Sequence, residues 1–228
     1  MPTDLVQNLL CAAMMECCTP ALVKTIARHT QFIAAARAAE NDLNAFAAKD
    51  PASRGAVENI AFGYSSYKAV LHYRLAHALL DIARLDGDHG REIESAAALV
   101  SARGKLLSGA EIHPRCYIGR GFVLDHGWGT VIGETSRIGD DCYILGGVVL
   151  GATGISANPS GKRHPTVGNR AEIGAFTRIF GDVVIGNDVF ISPHCVITED
   201  IPSDSIVTLK SELQLTRRRQ PQRSLESR

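Results

Sequence analysis

Residues 167–197 read VGNRAEIGAFTRIFGDVVIGNDVFISPHCVI. A large aliphatic residue stands at every sixth position: Val167, Ile173, Ile179, Ile185, Ile191 and Ile197. A period of six is neither the 3.6 of a helix nor the alternation of a half-buried strand. It predicts a parallel β-helix with triangular coils, in which each hexad supplies one short strand and one corner. Three hexads close a coil, and successive coils stack about 4.8 Å apart. Upstream, the same register holds at Ile112, Ile118 and Leu124, slips by two residues, and resumes at Ile132, Ile138, Ile144 and Leu150. Thirteen hexad starts predict a little over four coils. Four positions after each aliphatic comes a second inward candidate, mostly small or β-branched, among them Cys116, Cys142 and Cys195. Three of the six cysteines therefore read as interior packing rather than metal ligands. The set has no Cys-x-x-Cys pair and suits free thiols in a reducing cytoplasm.

The register breaks twice, and each break carries a histidine. His126 follows Asp125 in LDHGWG, at the two-residue slip. His164 follows Arg163 in KRHP, inside a stretch where Val167 comes seventeen positions after Leu150. That excess predicts a loop, 151–166, extruded from the coil, and long insertions in repeat folds tend to carry function. A histidine titrates near neutral pH and can take a proton from a hydroxyl, given an acceptor that orients its other nitrogen. Glu111 lies fifteen positions before His126, roughly one coil away, and is a candidate for that role. His113 reads as structural, and His29, His72, His77, His89 and His194 as packing or surface residues.

The first hundred residues have another character. They hold 22 alanines, whereas seventeen of the 21 glycines fall between Gly104 and Gly186. Helices are expected over 3–18, 21–48, 56–85 and 91–103, with Thr19 capping a helix that opens on Pro20. Asp50-Pro51 ends the second, because the residue before proline is pushed out of helical geometry. The expected architecture is α+β: an N-terminal α-helical assembly domain (1–104), a left-handed parallel β-helix of hexapeptide repeats (105–205) and a C-terminal tail (206–228). Lys+Arg 24 balances Asp+Glu 24, which argues against a nucleic-acid binder working through a basic face. No apolar run is long enough to span a membrane, and the N-terminus has no basic region typical of a signal peptide. The arginines of the tail, from Arg217 to Arg228, read as a solvated segment. A cytoplasmic protein without membrane or nucleic-acid partners is expected.

The segments KDPA (49–52), YRLAH (73–77), IHPRCYIGRG (112–121), LDHGWGTVIGET (124–135) and RHP (163–165) resemble those of serine O-acetyltransferases. The likeness spans roughly residues 49–205, and KDPA, LDH and RHP together are more specific than the hexad period. That family joins a helical domain to a left-handed β-helix and moves acetyl from acetyl-coenzyme A to the hydroxyl of L-serine. The resemblance implies that His126 is the general base and Glu111 its partner, where the family usually has aspartate. It implies that Asp50 and Asp125 hold the amino and hydroxyl side of the amino acid, and that Arg163 and His164 hold its carboxylate. Coenzyme A would run along a groove between subunits past Ala152, Thr153, Ala175 and Pro193. Transfer would be direct, through a tetrahedral intermediate without an acyl-enzyme and without a metal. A homotrimer, or a dimer of trimers, is the implied assembly.

Four departures accompany the likeness. Gly127-Trp128 follows LDH, so Trp128 is a candidate to shape the acceptor pocket and set the preference between serine and a close hydroxy-amino acid. The 151–165 loop is long, with Ile155 where the family has lysine. IVTLKSELQL replaces the family's GVPA segment. The chain ends in Ser227-Arg228, whereas the family docks onto cysteine synthase through a C-terminal isoleucine, so that complex is not expected. Competing readings are a homoserine-like, sugar or antibiotic hydroxyl as acceptor, a zinc hydrolase of the same fold, and a non-catalytic scaffold. KRHP beside LDH favours an amino-acid carboxylate, no third histidine lies in a zinc-binding phase, and the intact Asp125-His126 and Arg163-His164 pairs weigh against a scaffold.

Overall fold

The computed structural model describes residues 4–87, 89–158 and 160–210. Six helices come first: α1 (Asp4–Met15), α2 (Pro20–Ile26), α3 (Thr30–Lys49), α4 (Val57–Gly63), α5 (Ser65–Leu85) and α6 (Gly90–Ser108). Thr19 caps α2 as its sequence predicts, accepting a hydrogen bond from the Leu22 amide at 3.3 Å. The helix expected over 21–48 breaks at His29, whose Nδ1 accepts from the Gln31 amide at 3.4 Å and caps α3. The one expected over 56–85 breaks at Tyr64, which is extended between α4 and α5. The last helix, expected over 91–103, runs on through Gly104. A Cβ there would lie 2.7 Å from Cβ of His72, so glycine lets α6 pack tightly on α5. The helix ends instead at Gly109, left-handed at φ +71°, whose amide donates to the Lys105 carbonyl at 2.8 Å. The boundary of the helical part therefore falls four residues later than 104.

Short parallel strands follow: β1 (Glu111–Ile112), β2 (Tyr117–Ile118), β3 (Val123–Asp125), β4 (Val131–Ile132), β5 (Arg137–Ile138), β6 (Tyr143–Leu145), β7 (Val149–Gly151), β8 (Thr166–Val167), β9 (Glu172–Ile173), β10 (Arg178–Phe180), β11 (Val184–Ile185), β12 (Phe190–Ile191), β13 (Val196–Ile197) and β14 (Ile206–Val207). They stack as three sheets: β1-β4-β7-β10-β13, β2-β5-β8-β11 and β3-β6-β9-β12-β14. We call these the first, second and third sheets. The hexad aliphatics pair directly from coil to coil, as Ile112 with Ile132, Ile132 with Leu150, Leu150 with Ile179 and Ile179 with Ile197. All thirteen are buried, so the repeat is a continuous apolar column rather than a pore. The coil runs two residues past the expected end at 205. Ile191 pairs with Val207, a turn of sixteen residues in place of the eighteen that separate Ile173 from Ile191. The tail arginines lie outside the described residues.

The helices close the open edge of the first coil, whose backbone groups would otherwise lack partners. Tyr73 donates its hydroxyl to the Cys116 carbonyl at 2.9 Å, and Arg74 donates to the Ile118 carbonyl at 2.6 Å. Asp42 receives Arg74 at 2.8 Å and the Phe122 amide at 2.9 Å, and both charged side chains are buried. This clamp places the C-terminal end of α3, and with it Asp50, beside the corner that follows β3.

Candidate active site

The two-residue slip forms a tight bulge between the third and first sheets. Gly127 donates to the Asp125 carbonyl at 2.7 Å and Trp128 to the His126 carbonyl at 2.9 Å. Gly127 and Gly129 have φ of +70° and +75°, and His126 itself is left-handed at +60°. The bulge turns this corner side chain clear of the coil, and 82% of the His126 side chain is exposed. A non-glycine residue in that region carries strain, which is an observation that points towards function.

Asp50, Asp125 and His126 line one cavity of about 320 Å³, with Tyr64, Ser65 and Ser66. Asp50 arrives from the end of α3, where its carboxylate accepts the Ala52 amide at 2.8 Å and caps a single 3₁₀ turn, Pro51–Ser53. Its other oxygen accepts the Tyr64 hydroxyl at 2.9 Å. Asp125 arrives from β3 and accepts the Tyr143 hydroxyl at 2.9 Å, while Nε2 of His126 stands 3.8 Å from the same oxygen. The Asp50 bond raises the Tyr64 phenol above its ordinary pKa. Burial and the Asp125 bond raise that of Tyr143. Both phenols therefore stay protonated as donors at neutral pH. Among the lining residues there is no lysine or arginine, so the two carboxylates have no cation of their own in the cavity.

Arg163 and His164 sit elsewhere on the coil, at the corner between the first and second sheets. The loop after β7 folds back over Gly133 and Glu134. His164 is buried, and its Nδ1 accepts the Thr135 amide at 3.2 Å, which leaves the ring proton on Nε2. A Cβ on Gly133 would meet that ring at 2.1 Å, so glycine makes its seat. Burial first, then Arg163 and Lys162, lowers the His164 pKa. Arg163 is held by Glu134, whose own pKa the guanidinium lowers. Ala152 and Thr153 lie on the same side, with the Thr153 methyl 3.1 Å from where a Cβ of Gly181 would be. Within one chain this corner and that of His126 are opposite ends of the first sheet.

Glu111 does not line the cavity of His126. It forms an ion pair with Lys105 and lines a separate groove of about 360 Å³ between α6 and the first coil, with His113 and Arg115. Trp128 packs across Gly109, where a Cβ would fall 2.1 Å from the indole, and its side chain is 73% exposed. Ala175 and Pro193 stack in line with His126. Strand registry sets Asp125 beside Leu145, Ile144 beside Ile173 and Ile173 beside Ile191, so the column reads His126, Gly146, Ala175, Pro193. Among the described residues of one chain, no group of three His, Cys, Asp or Glu side chains converges to hold a metal ion. No described helix is long and apolar enough to cross a membrane.

Residues 164–199 match the model of bacterial transferase hexapeptide repeats (six repeats). The chain is 43% identical over 157 residues to a serine acetyltransferase of Helicobacter pylori (strain ATCC 700392 / 26695), covering 69% of this chain and 84% of that protein. This chain belongs to the serine acetyltransferase family. Its structure is similar to that of Neisseria gonorrhoeae serine acetyltransferase in complex with serine, at TM-score 0.74 and 26% identity over 91% of this chain and 83% of the other. It is likewise similar to serine acetyltransferase isoform 3 of Entamoeba histolytica in complex with cysteine, at TM-score 0.73 and 25% identity over 96% and 86%. The acetyltransferase is thus an enzyme built on a parallel β-helix. Tyr64, which lines the cavity, and Tyr143, which donates to Asp125, escaped the sequence reading. Tyr143 is the outward residue of an ordinary hexad, and Tyr64 falls inside the helical pattern expected over 56–85. Only contacts 14 and 18 residues away give them a role in this acetyltransferase.

Proposed function

We propose that the chain transfers acetyl from acetyl-coenzyme A to the hydroxyl of L-serine, or a closely related hydroxy-amino acid, with His126 as general base. The observation that carries this reading is the cavity where Asp50 and Asp125, from different domains, meet beside an exposed histidine with no cation among the lining residues. Two carboxylates without a counter-ion suit an ammonium group, and an α-ammonium supplies it. His126 then takes the proton of the acceptor hydroxyl as its oxygen bonds to the acetyl carbonyl carbon. The carbon–sulfur bond breaks, and the departing thiolate receives that proton from His126.

Arg163 and the Nε2–H of His164 suit a carboxylate. In one chain they are at the far end of the first sheet from His126, so the reading requires a second subunit to bring its loop to this corner. A homotrimer around the coil axis, or a pair of trimers joined through the helices, meets that requirement. Across the same interface Glu111 would exchange Lys105 for the partner's imidazole, and Trp128 would border the acceptor. Coenzyme A would pass Ala175 and Pro193 of one subunit and Ala152 and Thr153 of the next. The test is acetyl-coenzyme A consumption with L-serine, homoserine and threonine, together with the mass of the assembly in solution. Turnover with serine by a trimer or its multiple is expected; no turnover with any hydroxy-amino acid would refute the reading.

A further inference from the structure

On the same corner, the column one position on from His126 runs Gly127, Gly147, Phe176, His194 and ends in two stacked rings. Phe176 and His194 lie with ring centroids 5.3 Å apart and planes 8° from parallel. Both have left-handed backbones, at φ +60° and +64°. Phenylalanine is a genuine outlier there, because its bulk gains no local hydrogen bond to offset the steric cost. Packing in the core does not account for it, since Phe176 is 51% exposed. The corner between the second and third sheets makes the contrast. Its non-glycine left-handed positions hold Asp141, Arg170, Asp188 and Asp204, all polar, with Arg170 and Asp188 paired to each other.

The rings are also aimed. Gly147, at φ +75°, has no side chain, and a Cβ there would fall 2.4 Å from the Phe176 ring. The phenyl group therefore leans over bare backbone towards the coil of His126. Phe176 donates its amide to the Gly146 carbonyl at 3.0 Å, and His194 donates to Ala175 at 2.9 Å, which locks both residues into the column. At about 4.8 Å per coil, the rings' backbones lie roughly 10 and 14 Å from that of His126.

We infer that Phe176 and His194 form a stacked platform for the pantetheine arm of the acyl donor. This rests on the reading of the chain as an acetyl-coenzyme A-dependent enzyme. The arm is a linear chain with a branched dimethyl group, which suits the face or edge of a phenyl ring. Strain at an exposed corner persists when the ring serves binding rather than folding.

The test is Phe176→Gly, with His194→Ala as the second variant. Phe176→Gly should keep the assembly mass and a melting temperature equal to or above that of the parent, because glycine accepts the left-handed backbone. It should raise the KM for acetyl-coenzyme A and the calorimetric Kd for coenzyme A about tenfold, with the serine KM unchanged. His194→Ala should show the same pattern, more weakly. S-Acetylpantetheine, which lacks the nucleotide, should lose the same factor as the full donor. Unchanged donor affinity in both variants would overturn the inference. So would a loss seen only with the full donor, which assigns the rings to the nucleotide, or a fall in assembly mass or melting temperature, which assigns them to packing. If the parent protein binds no coenzyme A, the parent reading fails along with it.

Discussion

The two breaks in the hexad register both present a histidine, and they treat it in opposite ways. The short slip after Leu124 leaves His126 exposed on a strained left-handed backbone, 3.8 Å from Asp125. The long excursion after Gly151 returns to the coil and buries His164 on Gly133, with Thr135 on its Nδ1. A group that must trade protons with a substrate needs access and freedom to change charge. A group that orients a carboxylate benefits from a fixed ring and a fixed tautomer. Break length alone sets neither outcome. The slip has too few residues to fold back on the coil, whereas the excursion has enough to reach the neighbouring corner.

This contrast can be broken from either side. The largest effect is expected for His126→Ala, which should cut acetyl transfer by about 10²–10⁴-fold with no change in thermal midpoint, because the side chain makes no packing contribution. Near-parental turnover would remove His126 from the chemistry. His164→Ala should lose in both respects. It should lower stability by about 2 kcal/mol, through the unpaired Thr135 amide and the lost packing, and raise the serine KM, as read by denaturant melts and steady-state kinetics. Gly133→Ala should reproduce that loss with His164 still in place, since the new methyl collides with the ring; a parental melt would show that the seat is not tight.

Smaller effects sharpen the acceptor side. Tyr64→Phe and Tyr143→Phe each remove a phenol from a carboxylate and should raise the serine KM roughly tenfold while leaving the donor KM alone, consistent with about 1.5 kcal/mol for a hydrogen bond to a charged group. Equal KM values would make the phenols bystanders. The smallest effect is a pH slope. Burial lowers the pKa of His72, His113 and His164 below the ordinary 6.5. The unfolded chain therefore binds protons first as pH falls, so these groups contribute stability above pH 6.5 that is lost below it. Melting temperature should drop by a few degrees between pH 7.5 and 5.5, and less so in His164→Ala. A melting temperature that rises over that interval would reverse the sign.

Much of this molecule follows from short-range pattern. Thirteen aliphatics at a spacing of six specify the coil, because one slip in register would turn the aliphatic column out to solvent. The two breaks, and the histidines in them, are visible for the same reason: a strict repeat makes every exception conspicuous. Thr19-Pro20 marks a helix start through backbone chemistry that needs no partner. The final sixteen-residue coil is less legible, since a shorter turn keeps no hexad count.

The rest depends on contacts between distant parts of the chain. Gly104 reads as a helix end until His72 is found against it. Tyr64 falls inside the helix expected over 56–85 and Tyr143 draws no notice, until Asp50 and Asp125 receive their hydroxyls. Glu111, placed one coil from His126 by counting, is held by Lys105 in the folded chain. Local sequence governs backbone geometry, where each residue carries its own preference. Which side chains meet across a corner is set by how α3 and α5 seat on the first coil through Asp42 and Arg74, and no spacing along the chain encodes that distance.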